Sequence, residues 1–242
     1  MSPLFRFSRE RCRMNRQTWL VTGASKGIGL ALVGQLLQRG VDVVGACRNP
    51  DGERDLWEIK SDYKSRFDLL KIDVADENSI QAMAKVLQGR KIDVLINNAG
   101  VLKDAGKSLL ELDPAAVWQS FQVNSIGPML VTRELIPNLK LSANPKIVNI
   151  TSLMGSIADN KSGGYYGYRM SKTALNMLTA CLAREISDMT VLAIHPGWVK
   201  TNMGGPNAPT EASESAAGII DVIENASRQQ SGLYLDFRGR QL

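Results

Sequence analysis

The sequence contains one histidine, His195, and three cysteines, Cys12, Cys47 and Cys181, that form no CxxC pair. A single imidazole cannot build a histidine-rich metal site, and the cysteine spacing matches no metal knuckle, so no metal is expected. An odd number of widely separated cysteines points to free thiols in a reducing compartment, and the chain is expected to be cytoplasmic. No run of eighteen apolar residues occurs, so no membrane-spanning helix and no membrane partner are expected.

Acidic side chains are the minority, 24 against 29 basic ones, for a formal net charge of +5. Arg6, Arg9, Arg11, Arg13 and Arg16 against Glu10 place +4 of that charge in the first sixteen residues. The remainder is almost neutral. It lacks the clustered Lys and Arg of a nucleic-acid face, so no nucleic-acid partner is expected. Residues 1–16 read as a basic, flexible tail. The alternatives are a start-site artefact, with Met14 beginning the chain, and a transit peptide, which Glu10 and the brevity of the segment argue against.

Strand and helix patterns alternate over the rest of the chain. Strand patterns fall at Thr18–Thr22, Val41–Ala46, Asp68–Ile72, Asp93–Asn97, Lys146–Ile150, Val191–His195 and Gly232–Phe237. Helical periodicity falls at Gly27–Arg39, Glu77–Gln88, Pro114–Leu139, Tyr166–Ile186 and Glu214–Asn225. Short strands between helices imply βαβ units, and right-handed crossovers wind these into a mostly parallel seven-stranded sheet with helices on both faces. The expected fold class is α/β: one doubly wound Rossmann-type domain over residues 17–242, since no linker or repeat divides it.

TGASKGIG, Thr22–Gly29, lies between the first strand and the first helix. Gly23 permits the sharp turn, Gly27 lets the backbone approach a pyrophosphate, and Gly29 lets the helix pack close to the sheet. With Ser25, Lys26 and Ile28, the helix N-terminus offers free N–H groups and a partial positive charge to phosphates. An unliganded turn is the plainer alternative. The second strand ends Ala46–Cys47–Arg48, where NAD-preferring folds carry an acid for the ribose hydroxyls. Arg48 together with Lys26 suits a 2′-phosphate, so NADP(H) is the expected cofactor. A solvated surface arginine is the competing reading.

Tyr168 and Lys172 stand one helical turn apart in YRMSK, on one face. A phenol is a poor acid–base group at neutral pH unless a nearby cation stabilises its phenolate, which Lys172 is placed to do. Ser152 follows the fifth strand, at the end of the sheet where ligands bind, and can donate to a substrate oxygen. A serine-hydrolase reading fails because no GxSxG elbow surrounds Ser152.

These motifs resemble the short-chain dehydrogenase/reductase family, from Gln17 to about Phe237, and the glycine loop has that family's TGxxxGxG form. The resemblance implies that Asn124, in QVNSIG, is a fourth catalytic residue that anchors a water linking the lysine to solvent. It places Asp73 and Val74 beside the adenine, with a helix cap as the alternative for Asp73. It makes Asn97, Ala99 and Gly100 of NNAG cofactor-facing or, for Asn97, strand-tying. It sets Pro196, Gly197, Val199 and Thr201 beside the nicotinamide. The family's commonest serine-to-tyrosine spacing would select Tyr165, but Arg169 stands four residues after it. Ser162–Tyr166 then reads as a short insertion, with Tyr165 and Tyr166 at the pocket mouth.

The resemblance is nearest to the small carbonyl-reductase branch, with its sniffer-type reductases and C-factor-like proteins. It implies a small-molecule carbonyl or alcohol substrate, and the short lid Asn202–Pro209 implies an open pocket. A C-factor-like signalling protein that binds cofactor without turnover is the alternative. Homodimer, homotetramer and monomer all stay open.

Overall fold

Seven parallel strands form one sheet in the order β3-β2-β1-β4-β5-β6-β7. They are β1 (Thr18–Thr22), β2 (Asp42–Cys47), β3 (Phe67–Lys71), β4 (Val94–Asn97), β5 (Lys146–Ile150), β6 (Thr190–His195) and β7 (Tyr234–Asp236). A computed structural model describes residues 16–242. The tail expectation and the Met14 alternative lie outside the described residues, except that Arg16 approaches Asp42 at 3.6 Å.

The central strands read as continuous apolar runs because both faces are covered. On one face, α1 (Gly27–Gln38), α2 (Arg54–Asp62) and α7 (Ala212–Asn225) pack Leu32, Leu36, Leu56, Ile219 and Ile223 against Trp19, Val21, Ile96 and Ile194. On the other, α3 (Glu77–Val86), α5 (Gly127–Leu139) and α6 (Tyr166–Glu185) meet Leu20, Val44, Leu95, Ile147 and Val191. The strand order reverses direction between β1 and β4, and this switch point opens a crevice at the carboxyl ends of the strands. No helix of the described residues is long and apolar enough to cross a membrane.

The structure differs from the sequence expectation in three places. The helix expected over Pro114–Leu139 is broken. α4 (Pro114–Phe121) runs into a single π turn, Gln122–Ile126, before α5 begins. Pro128 has no N–H to give the Asn124 carbonyl in the α pattern, which favours the wider turn there. The helix α2 was not expected. It buries Leu56 and packs Ile59 and Tyr63 against the same core, a short stripe that the sequence reading passed over. The last strand is three residues long, because the chain leaves the sheet for a turn at Arg238–Arg240.

Candidate active site

A cleft of about 420 Å³ lies at the switch point, lined from the ends of β1, β2, β3, β4 and β5. The glycine loop forms its floor. Gly23, Gly27 and Gly29 each hold a position that a side chain could not take. A Cβ on Gly23, at φ +66°, would sit 2.8 Å from the Ala99 Cα, and one on Gly29 would sit 2.1 Å from the Gly23 carbonyl oxygen. One on Gly27 would meet the Thr201 methyl at 2.9 Å, so the loop after β6 closes directly over the glycine turn.

Asn98 holds this loop, a role the sequence reading missed. Its amide donates to the Thr22 carbonyl at 2.9 Å and to the Gly23 carbonyl at 3.1 Å. The Thr22 hydroxyl accepts from the Asn98 and Ala99 N–H groups in return. The signal lies in the second asparagine of the NNAG motif. Asn97 does not line the cleft. It is buried and donates to Asn149 at 2.9 Å and to Thr132 at 3.2 Å, tying β4 to β5 and α5.

Ser25, Lys26, Ile28, Arg48, Asp73, Val74, Ala99, Gly100, Pro196 and Thr201 all line the cleft. Asp73 is not a helix cap. It accepts from the Ala75 N–H, and Asp76 caps α3. Among the described residues lining the cleft it is the sole carboxylate, while Lys26, Arg48, Lys172 and Lys200 bring positive charge. Gly197 and Val199 are not in its wall, and Val199 is buried in a bridge to Thr210. Lys200 lines it and was not anticipated, and Asn202 and Met203 line it from the start of the expected lid.

Tyr168 and Lys172 share one face of α6 and are 8% and 4% exposed. Both line the cleft, and neither Tyr165 nor Tyr166 does. Burial pushes the Tyr168 phenol up from its ordinary value, and the adjacent Ser152 hydroxyl draws it back. Burial also lowers the Lys172 ammonium to about 8. The lowering of the phenol by the lysine, expected from their spacing, does not appear here; burial sets the direction and Ser152 alone opposes it. The Lys172 Nζ donates instead to the Ile150 carbonyl at 2.8 Å.

Asn124 is fully buried in the π turn. Its side-chain oxygen accepts from the Val101 N–H at 2.8 Å, and its amide donates to the Val101 carbonyl and to the Ser171 hydroxyl. Ser125 donates to the Ser171 carbonyl at 2.7 Å. The π turn is thereby fastened to α6 between Tyr168 and Lys172. A Cβ on Gly100 would lie 3.3 Å from the Asn124 side-chain oxygen and 3.6 Å from the Lys172 Nζ, so the three residues meet at one point.

The lid is short and self-tethered. Thr210 N–H donates to the Trp198 carbonyl, Lys200 N–H to the Thr210 carbonyl, and the Trp198 indole to the Gly204 carbonyl. Lys200 also forms an ion pair with Glu211. Among the described residues no group of three or more metal-ligating side chains occurs.

The fold and the glycine-floored cleft at its switch point define a Rossmann-type α/β protein of the oxidoreductase kind. The chain belongs to the short chain dehydrogenase family, whose pattern matches residues 17–212. It is 41% identical over 154 residues to C-signal of Myxococcus xanthus, which covers 62% of this chain and 92% of that protein. It superposes on the NADPH-bound carbonyl reductase from chicken fatty liver with a TM-score of 0.87 and 33% identity, over 94% of this chain and 98% of the other. It matches the carbonyl reductase Sniffer of D. melanogaster with a TM-score of 0.87 and 28% identity, over 94% and 99%.

Proposed function

We propose that this protein is an NADP(H)-dependent carbonyl reductase in which Tyr168 is the general acid. The observation that carries the reading is one cleft with cations at one end and a buried phenol at the other. Arg48 and Lys26 stand beyond β2 and β1, and Tyr168 and Lys172 close the opposite end.

The residues present fit a phosphorylated dinucleotide. Gly23, Gly27 and Gly29 leave the floor bare of side chains, and the N-terminus of α1 faces it with unpaired N–H groups. Arg48 would hold a 2′-phosphate as a charge-assisted pair, with Lys26 beside it. When bound, a nicotinamide cofactor supplies or accepts the hydride. Ser152 would donate to the substrate carbonyl oxygen and hold its developing charge. Tyr168 would deliver the proton to that oxygen. Its elevated affinity for the proton keeps it protonated at neutral pH, which suits reduction. Lys172, with one of its N–H donors spent on Ile150, keeps others for a ribose hydroxyl. Asn124 would hold α6 and the π turn in register and carry the water link behind Lys172. Pro196, Gly197, Val199 and Thr201 would shape the nicotinamide end. The chicken enzyme's bound NADPH supports the cofactor, and both carbonyl reductases support the substrate class.

The test is a titration with NADPH and with NADH, followed by aldehydes, ketones and quinones. Tight NADPH binding, with oxidation that depends on the carbonyl and is lost in Tyr168→Phe, is the expected result. Tight binding without turnover of any carbonyl would favour a signalling role, which the likeness to C-signal supports. Binding of neither cofactor would overturn the reading.

A further inference from the structure

Two side chains grip opposite ends of a single peptide group beside Ser152. The Tyr234 hydroxyl donates to the Ser152 carbonyl at 2.8 Å. The His195 Nδ1 accepts from the Leu153 N–H at 3.1 Å. That carbonyl and that N–H belong to one planar unit, so two contacts fix its position and its tilt.

The backbone does this only in part. The β5–β6 ladder ends where the Thr151 N–H donates to the Ile194 carbonyl at 2.9 Å. Beyond it β5 turns away into Leu153–Gly155, and β6 is terminated by Pro196. Past the sheet edge the Ser152–Leu153 peptide group keeps one backbone partner, the Gly155 N–H that donates to the Ser152 carbonyl at 2.8 Å, and its own N–H has none. His195 is the last residue of β6 and Tyr234 the first of β7, and these strands pair with His195 opposite Asp236. The grip therefore comes from two adjacent strands of the sheet.

From the other side α6 completes the clamp. A Cβ on Gly155 would lie 2.9 Å from the Lys172 backbone carbon, and the Thr173 hydroxyl donates to the Gly155 carbonyl at 2.9 Å. The Ser152 hydroxyl accepts from the Met154 N–H at 3.2 Å, so its direction follows the turn.

We propose that His195 and Tyr234 are positioning residues that aim the Ser152 hydroxyl at Tyr168, with His195 acting as the neutral tautomer protonated on Nε2. The role for Ser152 rests on the reductase reading above. An accepting Nδ1 requires the proton on Nε2, and an imidazolium would have two donors and no acceptor for Leu153. The charged groups facing the imidazole are Asp236 on β7 and Asp159 beyond β5. Burial outweighs both and holds the imidazole at about 4, so it is neutral at physiological pH.

Because the chain has one histidine, the imidazole can be read without ambiguity. Long-range ¹H–¹⁵N spectra of the full chain at pH 7 are expected to show a neutral ring protonated on Nε2. A ring protonated on Nδ1, or an imidazolium, would overturn the proposal. Kinetically, Tyr234→Phe and His195→Leu are each expected to lower kcat by about tenfold, with NADPH affinity and KM within about threefold of the parent, as for a displaced catalytic group. His195→Asn, whose amide oxygen can reach the same N–H, is expected to recover most of kcat. Parent-level kcat in His195→Leu would overturn the proposal while leaving the reductase reading intact. If the parent turns over no carbonyl, that reading falls, and amide exchange at Leu153 decides this one. Exchange faster in His195→Leu than in His195→Asn supports the clamp, and equal exchange sinks it.

Discussion

The Lys172 ammonium lies 5.9 Å from the centre of the Tyr168 ring, yet its hydrogen bond goes to the Ile150 carbonyl at 2.8 Å. A lysine that is 4% exposed and has one backbone acceptor is costly to keep charged. The fold tolerates it at the end of the sheet where the cleft opens, which separates the demands of stability from those of the site.

Lys172→Met is therefore expected to stabilise the protein by about 1 kcal/mol at pH 7 while reducing turnover at least about a hundredfold. Burial lowers the ammonium from 10.5 to about 8 in the folded state. Between those values the unfolded chain binds more protons, so stability rises with pH across that window and is diminished below it. Thermal melts at pH 7, 8, 9 and 10 should show this slope in the parent and a reduced one in Lys172→Met. A variant less stable than the parent at pH 7 would sink the argument.

Tyr168→Phe keeps the ring that fills its buried site and removes the hydroxyl. Carbonyl-dependent NADPH oxidation is expected to fall by about 10³-fold with NADPH affinity preserved, the scale of a lost general acid. Tyr165→Phe is the control. Tyr165 lies outside the cleft wall, at φ +51° before α6, and is expected to stay within about threefold of the parent. Equal losses in both variants would mean that the proton comes from elsewhere.

Arg48 is exposed and its guanidinium is paired with no carboxylate among the described residues, so it is available to a ligand. Arg48→Ser is expected to weaken NADPH binding by about ten- to a hundredfold, as for loss of a charge-assisted contact, while NADH binding changes little. Fluorescence titration with both cofactors measures the ratio. An unchanged ratio would return Arg48 to the status of a surface residue.

The sheet was legible because its strands are buried on both faces, which writes short apolar runs between glycines and charges. β5 begins and ends at the expected residues, Lys146–Ile150, and α1 begins at Gly27. Helix α2 does carry a stripe, Leu56, Ile59 and Tyr63, but it is short and set among the charged residues Arg54, Asp55, Glu58, Lys60 and Asp62, which read as a loop. The π turn left a trace in Pro128, but its consequence for Asn124 depends on the packing of Ser125 and Ser171. The grip of Tyr234 on Ser152 and of His195 on Leu153 links residues 82 and 42 positions apart in sequence. It exists only in the register of β6 with β7, and no local pattern encodes it.

Gly29 and Gly34 both lie in α1, and the space around them sets opposite expectations. A methyl group at Gly29 would meet the Gly23 carbonyl oxygen at 2.1 Å and the Asn98 amide nitrogen at 2.6 Å, while at Gly34 nothing lies within 4 Å. Gly34→Ala is expected to stabilise the protein by about 0.5–1 kcal/mol, because alanine loses less conformational freedom in a helix. Gly29→Ala must push α1 away from the glycine turn or open the Asn98 contacts, at an expected loss of about 2–3 kcal/mol, the scale of an overpacked core. It should also weaken cofactor binding, since the same displacement moves the N–H groups that floor the cleft. Urea denaturation with and without NADPH separates the two effects. If the cofactor rescued Gly29→Ala fully to parental stability, the close approach of α1 would not be needed for binding, and the phosphate cradle would have to be sought elsewhere in the cleft.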